Sequence, residues 1–213
     1  MFDMGFIADL RFILRRLPAE GDPMAARADA LRERESMLVD TLDEHYATFD
    51  AYLDAIAKAV AVEYRRIVAE GYVLQLDCPD LALERHGLFQ KKPLAEFLGF
   101  VERVIDAINR SIAGLPRDRI RLHVCWGNYE GPHTHDVPME KLLPVVMKAK
   151  PQAILFEAAN PRHAHEWKVF RDMKSIVPED KILVPGVLST TTNYVEHPEL
   201  VADRIVRLAN LVG

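Results

Sequence analysis

What this chain has little of narrows the field before any motif is read. Only two cysteines, Cys78 and Cys125, occur in 213 residues, so no disulfide framework is available to staple it. Both sit in segments that read as interior, and a reducing, cytoplasmic location is the expectation. Positive charge is not in excess. With 27 Lys and Arg against 32 Asp and Glu, the formal net charge is −5, which argues against a nucleic-acid-binding surface. No uninterrupted apolar run is long enough to cross a bilayer, so no membrane partner is expected. The N-terminal stretch is apolar in places, but Asp3, Asp9, Arg11 and Arg15 interrupt it and it lacks the order of a signal peptide. No G-x-G-x-x-G segment follows any strand-like run, which removes the main support for a dinucleotide site.

What is present is an ordinary globular composition, 49% apolar and 28% charged, suited to one domain or a large piece of one. Residues 1–44 read as a helical, charged segment broken between Pro18 and Pro23, with the character of a solvated helix or frayed tail. Residues 45–213 carry the domain. Phe49, Leu53, Ile56, Val60, Tyr64 and Ile67 recur at helical spacing up to Gly71, which predicts a helix over about 46–70 with a buried stripe. Strands follow at 72–77, 120–125, 153–157 and 182–186, alternating with helices near 93–113, 138–149, 164–174 and 198–211. Pro93, Pro138 and Pro198 fall at or near first helical turns, where a missing N–H costs nothing.

Strands alternating with helices imply a parallel sheet covered by helices, an α/β fold. Asp77, His123 with Cys125, and Glu157 each end one of three consecutive strands. Fixed polar groups in those positions are the arrangement of a (β/α)8 TIM-barrel mouth. About four strand–helix units are recognisable where eight close a barrel, so the expectation is an incomplete barrel. Its open edges would favour self-association or a complementing chain.

The chemistry concentrates in Arg119 to Asp136, RIRLHVCWGNYEGPHTHD. His123 and Cys125 lie two apart where strand becomes loop, so their side chains leave the same face. With Glu157 they offer a borderline, a soft and a hard donor, a set that Zn²⁺ accepts. A Cys–His nucleophile dyad is the rival chemistry, but a carboxylate beside the thiol would raise its pKa and blunt it. His133 and His135 follow Gly131-Pro132 in a loop, which favours a role in shaping a substrate mouth over direct metal binding. Asn160, Arg162, His163, His165 and Glu166 occupy the next strand–helix junction, where Arg162 could hold an anionic substrate group or simply begin a helix. Trp126 and Tyr129 offer aromatic faces, either for stacking on a planar cofactor or for packing.

The segments LHVCWGNYEGPHTHDVP, FEAANPRHAHEWKVF and VPGVLSTTTNYVEHPELVADRI resemble the catalytic barrel of cobalamin-independent methionine synthases, in particular its short single-barrel relatives. The resemblance spans about residues 45–213. It implies zinc ligands at His123, Cys125 and Glu157. Asp77 in LQLDCPD matches the strand-end Asp that grips a substrate amino group, and Cys78 stands where the family carries a Glu. The resemblance also implies zinc-dependent transfer of a methyl group from a methyltetrahydrofolate to the thiol of homocysteine. Asn160 and Arg162, from their place in the strand–helix loop, are expected as further substrate contacts, and Trp126, from its aromatic face, as a cofactor contact. Three departures stand out. The family's second zinc cysteine and its Gly-Ser-Phe-Pro opening segment are not recognisable, so a chain truncated at both ends is expected. GVLSTTTN also places Ser189 and threonines where the methionine synthases carry a proton-donating His. A sister branch opens epoxides with coenzyme M through the same H-x-C strand. Epoxyalkane–coenzyme M transferase-like alkylation and a catalytically incomplete barrel fragment are therefore the alternatives.

Overall fold

The computed structural model describes residues 46–128 and 131–212 of the chain. The expectation for residues 1–44 lies outside them. Helix α1 (Phe49–Ala69) leads into strand β1 (Leu74–Cys78). Then come α2 (Leu94–Ser111), β2 (Ile120–Val124), α3 (Met139–Val146), β3 (Ala153–Glu157), α4 (Trp167–Asp172), β4 (Ile182–Gly186) and α5 (Pro198–Val212). The strands form one parallel sheet in the order β1-β2-β3-β4. An α/β fold with a four-stranded parallel sheet alternating with helices is thus what the chain adopts. A closed barrel is not present among the described residues.

Local chemistry explains the boundaries. Thr48 caps α1 by accepting the Ala51 N–H at 3.1 Å. The helix stops where Gly71 takes φ +87°, a left-handed position that glycine fills without a Cβ clash. Strand β1 begins two residues later than the sequence predicts, because Leu74, opposite Ile120, is its first paired residue. Helix α3 ends at Val146 rather than running to Ala149. Lys148 and Ala149 donate to carbonyls three residues back, tightening the chain out of the α-helix.

The sheet has two unlike faces, and the period-2 pattern sets them. Leu74, Leu76, Cys78, Ile120, Leu122, Val124, Ile154 and Phe156 point toward the helices and are buried. They pack with Phe97, Val101, Ile105, Leu142, Leu143 and Phe170 into one core. Phe156 and Phe170 stack with centroids 4.7 Å apart. The in-register residues Gln75, Asp77, Arg121, His123, Leu155, Glu157, Ile182 and Val184 take the opposite face. No described helix covers it: Asp77 is 64% exposed and Ile182 52%. In β4, Ile182 donates to the Gln152 carbonyl and Gly186 accepts from Ala158, so the even residues bond to β3. Pro185 therefore has its nitrogen on the outer edge.

The α1 stripe is divided. Leu53 and Ala57 pack on Ala107 of α2. Ile56 and Val60, with Ala57 and the core-packed Tyr64 and Ile67, line a cleft of about 310 Å³ between α1, β1 and α2, which reaches Asp77. No helix among the described residues is long and apolar enough to cross a membrane.

Candidate functional site

Asp77, His123, Cys125 and Glu157 arise at the C-terminal ends of three neighbouring strands, on the uncovered face. Asp77 and His123 are register partners across β1 and β2, and the His123 Nδ1–H donates to Asp77 Oδ1 at 2.7 Å. An ionised carboxylate can only accept, so this contact fixes the proton on Nδ1. The neutral ring then keeps its lone pair at Nε2, as in carboxylate–histidine–metal arrangements. Continuing the β2–β3 register brings Glu157 level with Cys125.

Each donor is partly engaged with backbone. Cys125 Sγ accepts the Gly127 N–H at 3.3 Å, in a turn that Gly127 makes at φ +88°. Glu157 Oε1 accepts the N–H groups of Ala159 and Asn160, both at 2.7 Å. These bonds turn the two side chains toward their own loops. The ligand atoms of His123, Cys125 and Glu157 accordingly do not all lie within 4.8 Å of one another. The donor set suits zinc, with the three groups on one surface but not drawn together.

The remaining sequence candidates are placed as follows. Asn160 is buried, and its Oδ1 accepts the Arg162 N–H at 3.0 Å, so it shapes the loop that carries Arg162. Arg162 itself is half-buried. Trp126, expected as a surface beside the cofactor, is 2% exposed and donates its indole N–H to the Val137 carbonyl at 2.8 Å. One ring face lies on His163, with centroids 4.7 Å apart, so in this structure the indole is a packing element. Across the mouth, Asn128 Nδ2 donates to Thr190 Oγ1 at 2.9 Å, tying the loop after β2 to the loop after β4.

A second polar centre lies just behind these loops. Asp136 Oδ2 accepts from His133 Nδ1 at 2.7 Å and from His163 Nε2 at 2.9 Å. Glu166 Oε2 accepts from His163 Nδ1 at 2.9 Å. Its other oxygen takes the Met139 N–H at 2.8 Å, satisfying an orphan donor of α3. Burial alone would push the His163 imidazole down. The hydrogen bonds and charges of Asp136 and Glu166 outweigh it and raise the group to about 9. Two spacings carried the signal in the sequence, His133–Asp136 and His163–Glu166, each three residues apart. Their joining across 27 residues did not show there.

No protein-family model, curated protein or solved structure matches the chain.

Proposed function

We propose that this chain is the catalytic part of a zinc-dependent thiol alkyltransferase, with homocysteine-like thiol and methyltetrahydrofolate-like donor as the substrates. The parallel sheet is read as an arc of a (β/α)8 barrel with its mouth at the C-terminal strand ends. The observation that carries the reading is the placement of Asp77, His123, Cys125 and Glu157 together on one open face at those ends.

His123 Nε2, Cys125 Sγ and Glu157 would hold the ion. Bound zinc supplies a positive charge that keeps a substrate thiol as the thiolate, the attacking form. Asp77 orients the His123 ring through Nδ1 and, being well exposed, can also take a substrate ammonium group. Arg162, held by the Asn160 turn, suits a substrate carboxylate. The Gly127 N–H positions the Cys125 sulfur at the end of β2. The attacking sulfur then belongs to the substrate, and Cys125 serves as a ligand.

The test is metal content and thiol alkylation in tag-free protein. Wild type should carry thiolate-bound zinc that Cys125→Ser loses together with methyl transfer to homocysteine. Folded wild-type protein that takes up Co²⁺ with no sulfur-to-cobalt charge-transfer band would overturn the reading. It would leave the catalytically incomplete barrel.

A further inference from the structure

We propose that His133, Asp136 and His163 form a second divalent-metal site, for Zn²⁺ in the first instance, that clasps the loop before α3 to the loop before α4. It is separate from the strand-end site and does not depend on it. Two imidazoles and a carboxylate are a common donor set for borderline divalent ions. Among the described residues, these three form the group whose candidate ligand atoms all lie within 4.8 Å of one another.

Three features beyond proximity point to an ion. Asp136 has a side chain 10% exposed, and its Oδ1 is buried with no hydrogen-bond partner among the described residues. That oxygen leaves Asp136 with an unused acceptor that an ion could engage alongside Oδ2. The surroundings of His163 are those of a metal-bound imidazole, since Glu166 accepts its Nδ1–H and is itself fixed by the Met139 N–H. Spacing also fits. Zinc bonds of about 2.0–2.1 Å at tetrahedral angles put ligand atoms roughly 3.3 Å apart. The contacts of 2.7 and 2.9 Å to Asp136 Oδ2 need to open by only a few tenths of an ångström.

An ion here takes the place of the hydrogens that His133 Nδ1 and His163 Nε2 present to Asp136. Its two charges balance Asp136 and Glu166. With His133 and His163 side chains only 3% and 5% exposed, an ion held here would be shielded from bulk solvent. Its work is to hold the two loops in position behind the mouth.

The experiment uses the full chain, stripped with chelator and titrated with Co²⁺ and then Zn²⁺, with metal content read by mass spectrometry. Wild type should bind about two equivalents. One gives a sulfur-to-cobalt charge-transfer band, and the other gives d–d bands alone. Cys125→Ser should keep about one equivalent, without the sulfur band and with a metal-dependent rise in melting temperature. Asp136→Asn should keep the sulfur band and lose the other equivalent. A folded Cys125→Ser protein that binds no stoichiometric ion overturns this proposal, whether or not the Asp136 variant folds. Loss of the sulfur band alone in wild type would defeat the strand-end site and leave this one standing.

Discussion

In metal-free protein, the raised pKa of His163 makes stability depend on pH in a defined direction. The group moves from an ordinary 6.5 to about 9 in the fold, because Asp136 and Glu166 outweigh the burial that opposes its charge. A group raised on folding binds more protons in the folded state between those two values. Its contribution is therefore complete below pH 6.5 and is lost as pH rises through 9. At about 1.4 kcal/mol per pH unit, that interval amounts to roughly 3 kcal/mol, a large share of the stability of an ordinary domain. His163 faces Asp136 and Glu166, with His133 on the same Asp136 oxygen and the Trp126 ring against one face. The assay is urea unfolding in chelator from pH 6 to 10, comparing wild type with His163→Gln. The difference in unfolding free energy should shrink steadily between pH 6.5 and 9. Parallel profiles, or a His163 NMR resonance titrating near its ordinary value, would refute the assignment of a charged imidazole.

Two further outcomes follow from packing and from the last loop. Leu122 is fully buried at the centre of the sheet, so Leu122→Ala should cost about 2–5 kcal/mol by denaturant unfolding. A loss below 1 kcal/mol would mean that the helix-covered face is not the core. Glu196 accepts the Ser189 N–H at 2.9 Å and pairs with Arg204 at 2.6 Å, and these contacts hold its carboxyl below the usual range. Glu196→Gln should therefore loosen the loop after β4. Faster amide exchange at Ser189 is the expected reading, and unchanged protection would contradict it.

The parts of the fold that show in the sequence are those written in local periodicity. Alternation in β1 and β2 separates Leu76 and Leu122 from Asp77 and His123, and the strand ends follow from it. The cleft beside β1 does not show, because the α1 stripe looks uniform, yet α2 covers Leu53 and leaves Ile56 and Val60 lining open space. At the site, residue types indicate the donors but not their direction. Nearby backbone N–H groups compete for Cys125 and Glu157, and that competition leaves no trace in residue type or spacing. Trp126 shows a similar limit. The Val137 carbonyl that takes its N–H lies 11 residues away, so the sequence favours packing over stacking without showing the partner. The Asp136–His163 contact bridges two loops, where no periodicity operates.

The proline in β4 gives the sheet a direction of growth. The outer edge of that strand exposes its odd-numbered residues, so an added strand would find the Leu183 N–H but no donor at Pro185. Strand β1, Leu74–Cys78, has no such interruption. Among the described residues, the β1 side is thus the end that can be extended, while the β4 side resists extension. Any partner chain or misfolded copy that adds to this sheet should nucleate beside Leu74–Cys78, next to the cleft under α1.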